Sequence, residues 1–273
     1  MSLSIRCFDV VLPHRITLSC RANTEAPGLP RALLLHGFPE AAFVWDEVMR
    51  RLDGRVHCVA PNLRGYERSS APVEVEAYRA RHLVADIAAL IAQQGAPIDL
   101  LVAHDWGGAV AWNLAALKPE LLRRLLIVNS PHPATFLREL RDNPAQQAAS
   151  AYMTFLCRPD AAALLAENDF ARMWPFFENM GGSAWLDEPT RERRRGEKAT
   201  ERKRIGQRLP AQRDHGNPEH RAHRGAAEES DDDAEDFIVG VRYVDELTRR
   251  PDGWRIVSRR TTMEFQRYDA VVL

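Results

Sequence analysis

Asp99-Leu100-Leu101-Val102-Ala103-His104-Asp105-Trp106-Gly107-Gly108-Ala109-Val110-Ala111-Trp112 is the stretch on which the fold turns. An apolar run ends at His104-Asp105-Trp106, and a glycine pair then opens a helical pattern. This is the sequence form of a nucleophile elbow, a strand-to-helix turn that lifts one side chain above a sheet. Such a turn needs small neighbours because the backbone passes close to the adjoining strand, and Ala103 and Gly107 fill those places. The residue at the tip is Asp105, so the attacking group is a carboxylate and the intermediate it forms is an ester.

Working outward, Ala32-Leu33-Leu34-Leu35 reads as a buried strand leading into His36-Gly37-Phe38-Pro39-Glu40, with Trp45 at the start of a helix. A second strand, Val56-His57-Cys58-Val59-Ala60, leads into Pro61-Asn62-Leu63-Arg64-Gly65-Tyr66-Glu67-Arg68-Ser69. The order predicted is strand 7–12, strand 15–21, strand 32–36, helix 43–52, strand 56–60, helix 75–94, strand 99–104, helix 107–117 and strand 124–129. In helix 75–94 Tyr78, Leu83, Ile87, Leu90 and Ile91 fall at helical spacing. Strands alternating with helices predict an α/β fold, a mostly parallel sheet covered on both faces. Its ligand end is the C-terminal end of the strands, where Phe38, Asp105 and Asn129 fall.

These motifs, in this order and each at a strand end, resemble the α/β-hydrolase family, in particular its epoxide hydrolase and haloalkane dehalogenase branch. The resemblance runs over roughly residues 5–188 and departs from the family pattern at Asn62, where the family often has Asp, and at Glu67, where it usually has Gly. It implies a core over 1–135 and a partial helical cap over 136–188, entered through Asn129-Ser130-Pro131-His132-Pro133 and Asn143-Pro144. It further implies that Asp105 is the nucleophile and that the backbone N–H groups of Phe38 and Trp106 form the oxyanion pair. Tyr152 falls where epoxide hydrolases place a cap tyrosine that protonates the epoxide oxygen, and the Trp106 indole could serve a leaving halide. His36, Trp45 and Asn129 are placed along the substrate. His36 and His104, which flank the two turns, also read as scaffold residues bonding loop backbone, as does His132 in its Pro-His-Pro setting.

After Glu188 the pattern breaks. Residues 189–236 are crowded with arginine, keep only Ile205 and Leu209 as large apolar residues, and end in the acidic run Glu228-Glu229-Ser230-Asp231-Asp232-Asp233-Ala234-Glu235-Asp236. So few apolar groups do not offset the roughly 1–2 kcal/mol per residue lost on ordering backbone, which predicts a disordered linker. A pattern returns over 237–269, where two alternating runs flank Arg250-Pro251-Asp252-Gly253 and predict a β-hairpin. This hairpin resembles the end of the SnoaL-like, polyketide-cyclase-like fold. An isolated hairpin is marginal in water, so it must dock elsewhere, oligomerise or stay loosely ordered. The expected sheet is therefore an incomplete α/β-hydrolase sheet with one exposed edge, the product of a truncated or composite gene or of a natural insertion. The acid and histidine that would complete a hydrolase triad are missing from their expected places, since Asn129 is neutral and His215, His220 and His223 lie in the charged block.

Composition narrows the partners. Formal charge is −1, so no global attraction to nucleic acid or membrane is implied. No apolar run approaches 20 residues and the N-terminus carries no charged-then-apolar signal, which predicts a cytoplasmic chain without a spanning helix. The scattered Cys7, Cys20, Cys58 and Cys157 read as reduced, buried thiols. No metal site and no cofactor are expected. The reading reached is hydrolysis of a small apolar epoxide through an alkyl ester on Asp105, impaired by loss of the base. The alternatives are a dehalogenase acting on an alkyl halide and a non-catalytic remnant.

Overall fold

The computed structural model describes residues 5–168, 170–175, 188, 191–192, 242–250 and 253–262, the last two stretches as backbone. Eight strands form one sheet in the order β1-β2-β4-β3-β5-β6-β7-β8. They are β1 (Arg6–Val11), β2 (Thr17–Ala22), β3 (Arg31–Leu35), β4 (His57–Pro61), β5 (Leu100–His104), β6 (Arg124–Val128), β7 (Arg242–Arg250) and β8 (Gly253–Thr262). Strands β4, β3, β5 and β6 run parallel to one another, while β1 and β2 add an antiparallel edge on one side.

Side-chain alternation in β3 explains the layers. Leu33 and Leu35 point to one face, into a large cluster with Leu83, Ile87, Leu90 and Ile91 of α2 (Ala80–Gln93) and Val110, Ala111 and Leu114 of α3 (Trp106–Leu117). Ala32 and Leu34 point to the other, where they meet Cys58, Ala60, Ala42 and Met49 of α1 (Asp46–Leu52). A strand with apolar residues on both faces is what a sheet covered by helices on both sides requires. The predicted α/β order is therefore present, and each central strand lies within a residue or two of its predicted position. Helix 75–94 differs: it is a 3-10 turn, Val75–Tyr78, followed by α2, because Arg79 between them is extended at φ −63°, ψ 149°.

Beyond β6 the described residues include the short helices α4 (Pro133–Asp142), α5 (Pro144–Ala149), α6 (Ala151–Leu156) and α7 (Ala161–Ala166). Asn143 caps α5, its Oδ1 accepting from Ala145 N at 2.9 Å and Gln146 N at 3.3 Å, and Pro144 takes the first helical position. Most of the predicted linker and the rest of the predicted cap lie outside the described residues.

One expectation is corrected at the sheet edge. Strand β7 pairs antiparallel with β6, from Arg124↔Thr248 to Val128↔Val244, and β8 pairs with β7. The predicted hairpin thus covers the edge that was expected to stand open, because the unpaired N–H and C=O groups of β6 are a template for one more strand. A second correction concerns the thiols: Cys20 and Cys58 are buried, but Cys7 and Cys157 are exposed, and all four are free. Among the described residues no helix is long and apolar enough to cross a membrane.

Candidate active site

Asp105 closes β5 and opens α3 with φ 49°, ψ −119°, a left-handed conformation that an L-residue adopts at a cost of about 1–3 kcal/mol. The conformation is fixed from both sides. Its N–H donates to Val128 O at 3.2 Å, and its C=O accepts from Gly108 N at 2.9 Å and Ala109 N at 3.2 Å. The glycines are needed for close approach. A Cβ on Gly107 would stand 2.5 Å from His36 O, and one on Gly108 would stand 2.3 Å from Ser130 Cβ.

The loop after β3 meets this turn directly. A Cβ on Gly37 would fall 2.4 Å from Asp105 Cβ, so only glycine lets the two loops touch. That approach brings Phe38 N–H to Asp105 Oδ1 at 2.8 Å. This backbone donor fixes one oxygen of the carboxylate at the N-terminal end of α3.

Tyr152 lies on α6. Burial pushes its phenol above the usual value, and the negative charge of Asp105 pushes it further, so the two groups share an electrostatic environment. Trp106 is 43% exposed and Tyr152 41%, so both remain open to a ligand.

The other predicted residues lie in different settings. His36 is fully buried, with Nε2 accepting from Leu63 N at 3.0 Å and Nδ1 3.0 Å from Gly37 O. It ties the Gly37 loop to the Arg64 loop. Trp45 packs against the cluster beneath α1, and its buried Nε1 has no hydrogen-bond partner among the described residues. Asn129 follows β6 at φ 50°. His104 Nδ1 lies 3.9 Å from Glu40 Oε2. His132 caps α4 by accepting from Ala134 N and stacks edge-on against Trp112, and burial lowers its pKa. His215, His220 and His223 lie outside the described residues. Among the described residues no His, Cys, Asp and Glu cluster could hold a metal ion.

Asn62 and Glu67 show what the two departures do. Asn62 accepts from Ala42 N at 2.8 Å and donates to Ser19 Oγ at 2.9 Å, a neutral bridge between loops. Glu67 adopts φ 48°, where glycine is the unstrained choice. A buried network was not legible in the sequence: Arg64 forks onto Asp86 of α2 at 2.6 and 2.8 Å, and His14 reaches the same carboxylate at 2.6 Å. Its members are distant in sequence and no spacing joins them.

Comparison with known proteins bears on the fold. A family model described as alpha/beta hydrolase fold matches residues 30–156. A solved epoxide hydrolase of the α/β-hydrolase superfamily, from metagenomes of hot environments, is 30% identical with a TM-score of 0.61, covering 73% of this chain and 68% of that one. The chain belongs to the α/β-hydrolase family. Within that family it is similar to epoxide hydrolase 4 of Mus musculus, at 36% identity over 64% of this chain and 49% of that protein. It is similar as well to the AB hydrolase superfamily protein YfhM of Bacillus subtilis strain 168, at 39% identity over 61% of this chain and 58% of that protein. A solved epoxide hydrolase from Bacillus megaterium superimposes with a TM-score of 0.64 at 29% identity, covering 70% of this chain and 66% of that one. This α/β-hydrolase thus spans about half the length of the curated relatives it matches.

Proposed function

We propose that this α/β-hydrolase opens a small apolar epoxide by attack of Asp105 on a ring carbon. The observation that carries the reading is the Phe38 N–H on Asp105 Oδ1 at 2.8 Å, with the carboxylate lifted above the sheet by a strained turn. Phe38 holds Oδ1, which leaves Oδ2 as the attacking atom. As the Oδ2–carbon bond forms, the ring C–O bond breaks and its electron pair stays on oxygen. The Tyr152 phenol gives that oxygen its proton, and the product is a hydroxyalkyl ester on Asp105 with tyrosinate beside it. Burial and the Asp105 charge keep the phenol protonated at neutral pH, as a general acid requires. Similarity to several epoxide hydrolases supports the substrate class.

Hydrolysis of the ester is the step we infer to be impaired. Water needs a base, and the described histidines around the site have other partners: His36 binds loop backbone on both nitrogens, His132 its own helix, and His104, next to Asp105, faces Glu40 Oε2 at 3.9 Å. Loss of one member of a catalytic triad costs several powers of ten in turnover. A second reading, displacement of halide from an alkyl halide by the same carboxylate, is favoured by the open Trp106 next to the nucleophile.

Following epoxide consumption beside diol release tests the proposal. The expected course is rapid loss of one equivalent per chain and diol release at least a hundredfold slower. Equal rates through many turnovers would contradict the impaired step, and no consumption at all would favour a non-catalytic fold.

A further inference from the structure

Arg64 and Asp86 are both almost completely buried, and the guanidinium makes three directed bonds: two to Asp86 Oδ1 and Oδ2 and one from Nη1 to Ala77 O at 2.7 Å. A buried ion pair of this kind contributes little net stability, because desolvating both charges offsets their attraction; an apolar pair of similar volume holds a fold as well. What the apolar pair lacks is direction. The direction here leads to the site. Leu63, next to Arg64, donates its N–H to His36 Nε2 at 3.0 Å, and the Tyr66 ring stands edge-on to the imidazole at 4.7 Å. A backbone N–H can only donate, so Nε2 carries no proton and the neutral ring holds its proton on Nδ1. From there it donates to Gly37 O at 3.0 Å. Gly37 lies against Asp105, and the next residue, Phe38, supplies the donor to Oδ1.

We propose that the buried Arg64–Asp86 pair positions the Phe38 N–H on Asp105, acting through the Leu63–His36–Gly37 relay. For its catalytic consequence this rests on Asp105 being the nucleophile; for its structural consequence it does not. Arg64 and Asp86 touch no substrate and are positioning residues. Arg64 is covalently next to Leu63 and Gly37 to Phe38, and the two links between them are single directed hydrogen bonds. A shift of the Arg64 loop therefore moves the imidazole, and the imidazole moves the carbonyl that fixes Phe38.

The test replaces both partners at once. The Arg64→Met/Asp86→Leu variant of the full chain leaves no buried charge unpaired, and His14, partly exposed, regains water. Two readouts are taken: hydrogen exchange of the Phe38 amide with the ¹⁵N signature of the His36 tautomer, and the rate of ester formation with a terminal aryl epoxide. The Phe38 amide is expected to exchange at least tenfold faster while the Leu33 and Leu101 amides keep their protection, and ester formation to slow at least tenfold with probe affinity unchanged. A folded variant with the parent's Phe38 exchange and His36 tautomer would overturn the proposal. Arg64→Lys keeps the charge and gives up the fork; it is expected to fall between the two, and parental Phe38 protection in it overturns the proposal even if the double variant does not fold. A parent protein that protects Phe38 yet forms no ester would sink the nucleophile reading alone, leaving the exchange data to judge the positioning.

Discussion

Asp105 is held in a conformation that its side chain does not favour, and every neighbour that allows this is a glycine or a backbone group. Gly37→Ala would place a methyl group 2.4 Å from Asp105 Cβ. It is expected to lower stability by about 1–3 kcal/mol, in line with overpacking, and to slow ester formation more than a hundredfold; thermal melting and the single-turnover rate check the two parts. Tyr152→Phe removes the proposed acid, which opening an epoxide needs and displacing halide does not. Epoxide alkylation should fall at least a hundredfold while alkylation by an alkyl halide stays within about threefold, and equal losses with both probes would remove the acid role. The pH dependence has a definite sign. The phenol is raised above its ordinary value of about 10 by burial and by Asp105, so it keeps its proton through neutral pH and loses it only as pH rises beyond that value. The epoxide-opening rate should therefore stay flat to about pH 10 and fall only above it. The turns at Asp105 and at Phe38 were each legible in the sequence because a turn of this kind is written in contiguous residues. The Arg64–Asp86–His14 network was not, because an ion pair between distant residues leaves no local spacing to read.

At the scale of elements, period and composition were enough for β3 to β6 and for α2 and α3, whose apolar residues are the ones the sheet buries. Ile87 is fully buried between α2 and the sheet, and Ile87→Ala is expected to cost about 2–5 kcal/mol, read as a lower denaturation midpoint. The break at Arg79 was not legible, since nothing in residue type forbids a helix there. Thiol chemistry separates core from surface. Burial pushes Cys20 up to about 12 and Cys58 up to about 11, so neither carries a reactive thiolate at neutral pH. An aromatic disulfide reagent should label the exposed Cys7 and Cys157 in the native protein, with Cys20 and Cys58 following only on unfolding. Rapid labelling of all four would contradict the packing of β2 and β4.

The whole molecule differs most from the sequence expectation at its far edge. Alternation gave the hairpin correctly, but which edge receives it depends on an unsatisfied ladder in β6, a property of the assembled sheet. Removing residues 242–262 should bare that edge and convert the protein to aggregates on size-exclusion chromatography; a stable soluble species would contradict β6–β7 pairing as the feature that covers it. The chain spans only part of its relatives' length, and the elbow, the Phe38 donor and Tyr152 all lie within residues 30–156, which the family model matches. Their working together is tested most directly by the intact mass of the protein after exposure to a terminal aryl epoxide. The account predicts one added epoxide mass per chain, mapped to Asp105 and absent from Asp105→Asn. An adduct that survives Asp105→Asn, or no adduct and no turnover in the unaltered protein, would contradict it.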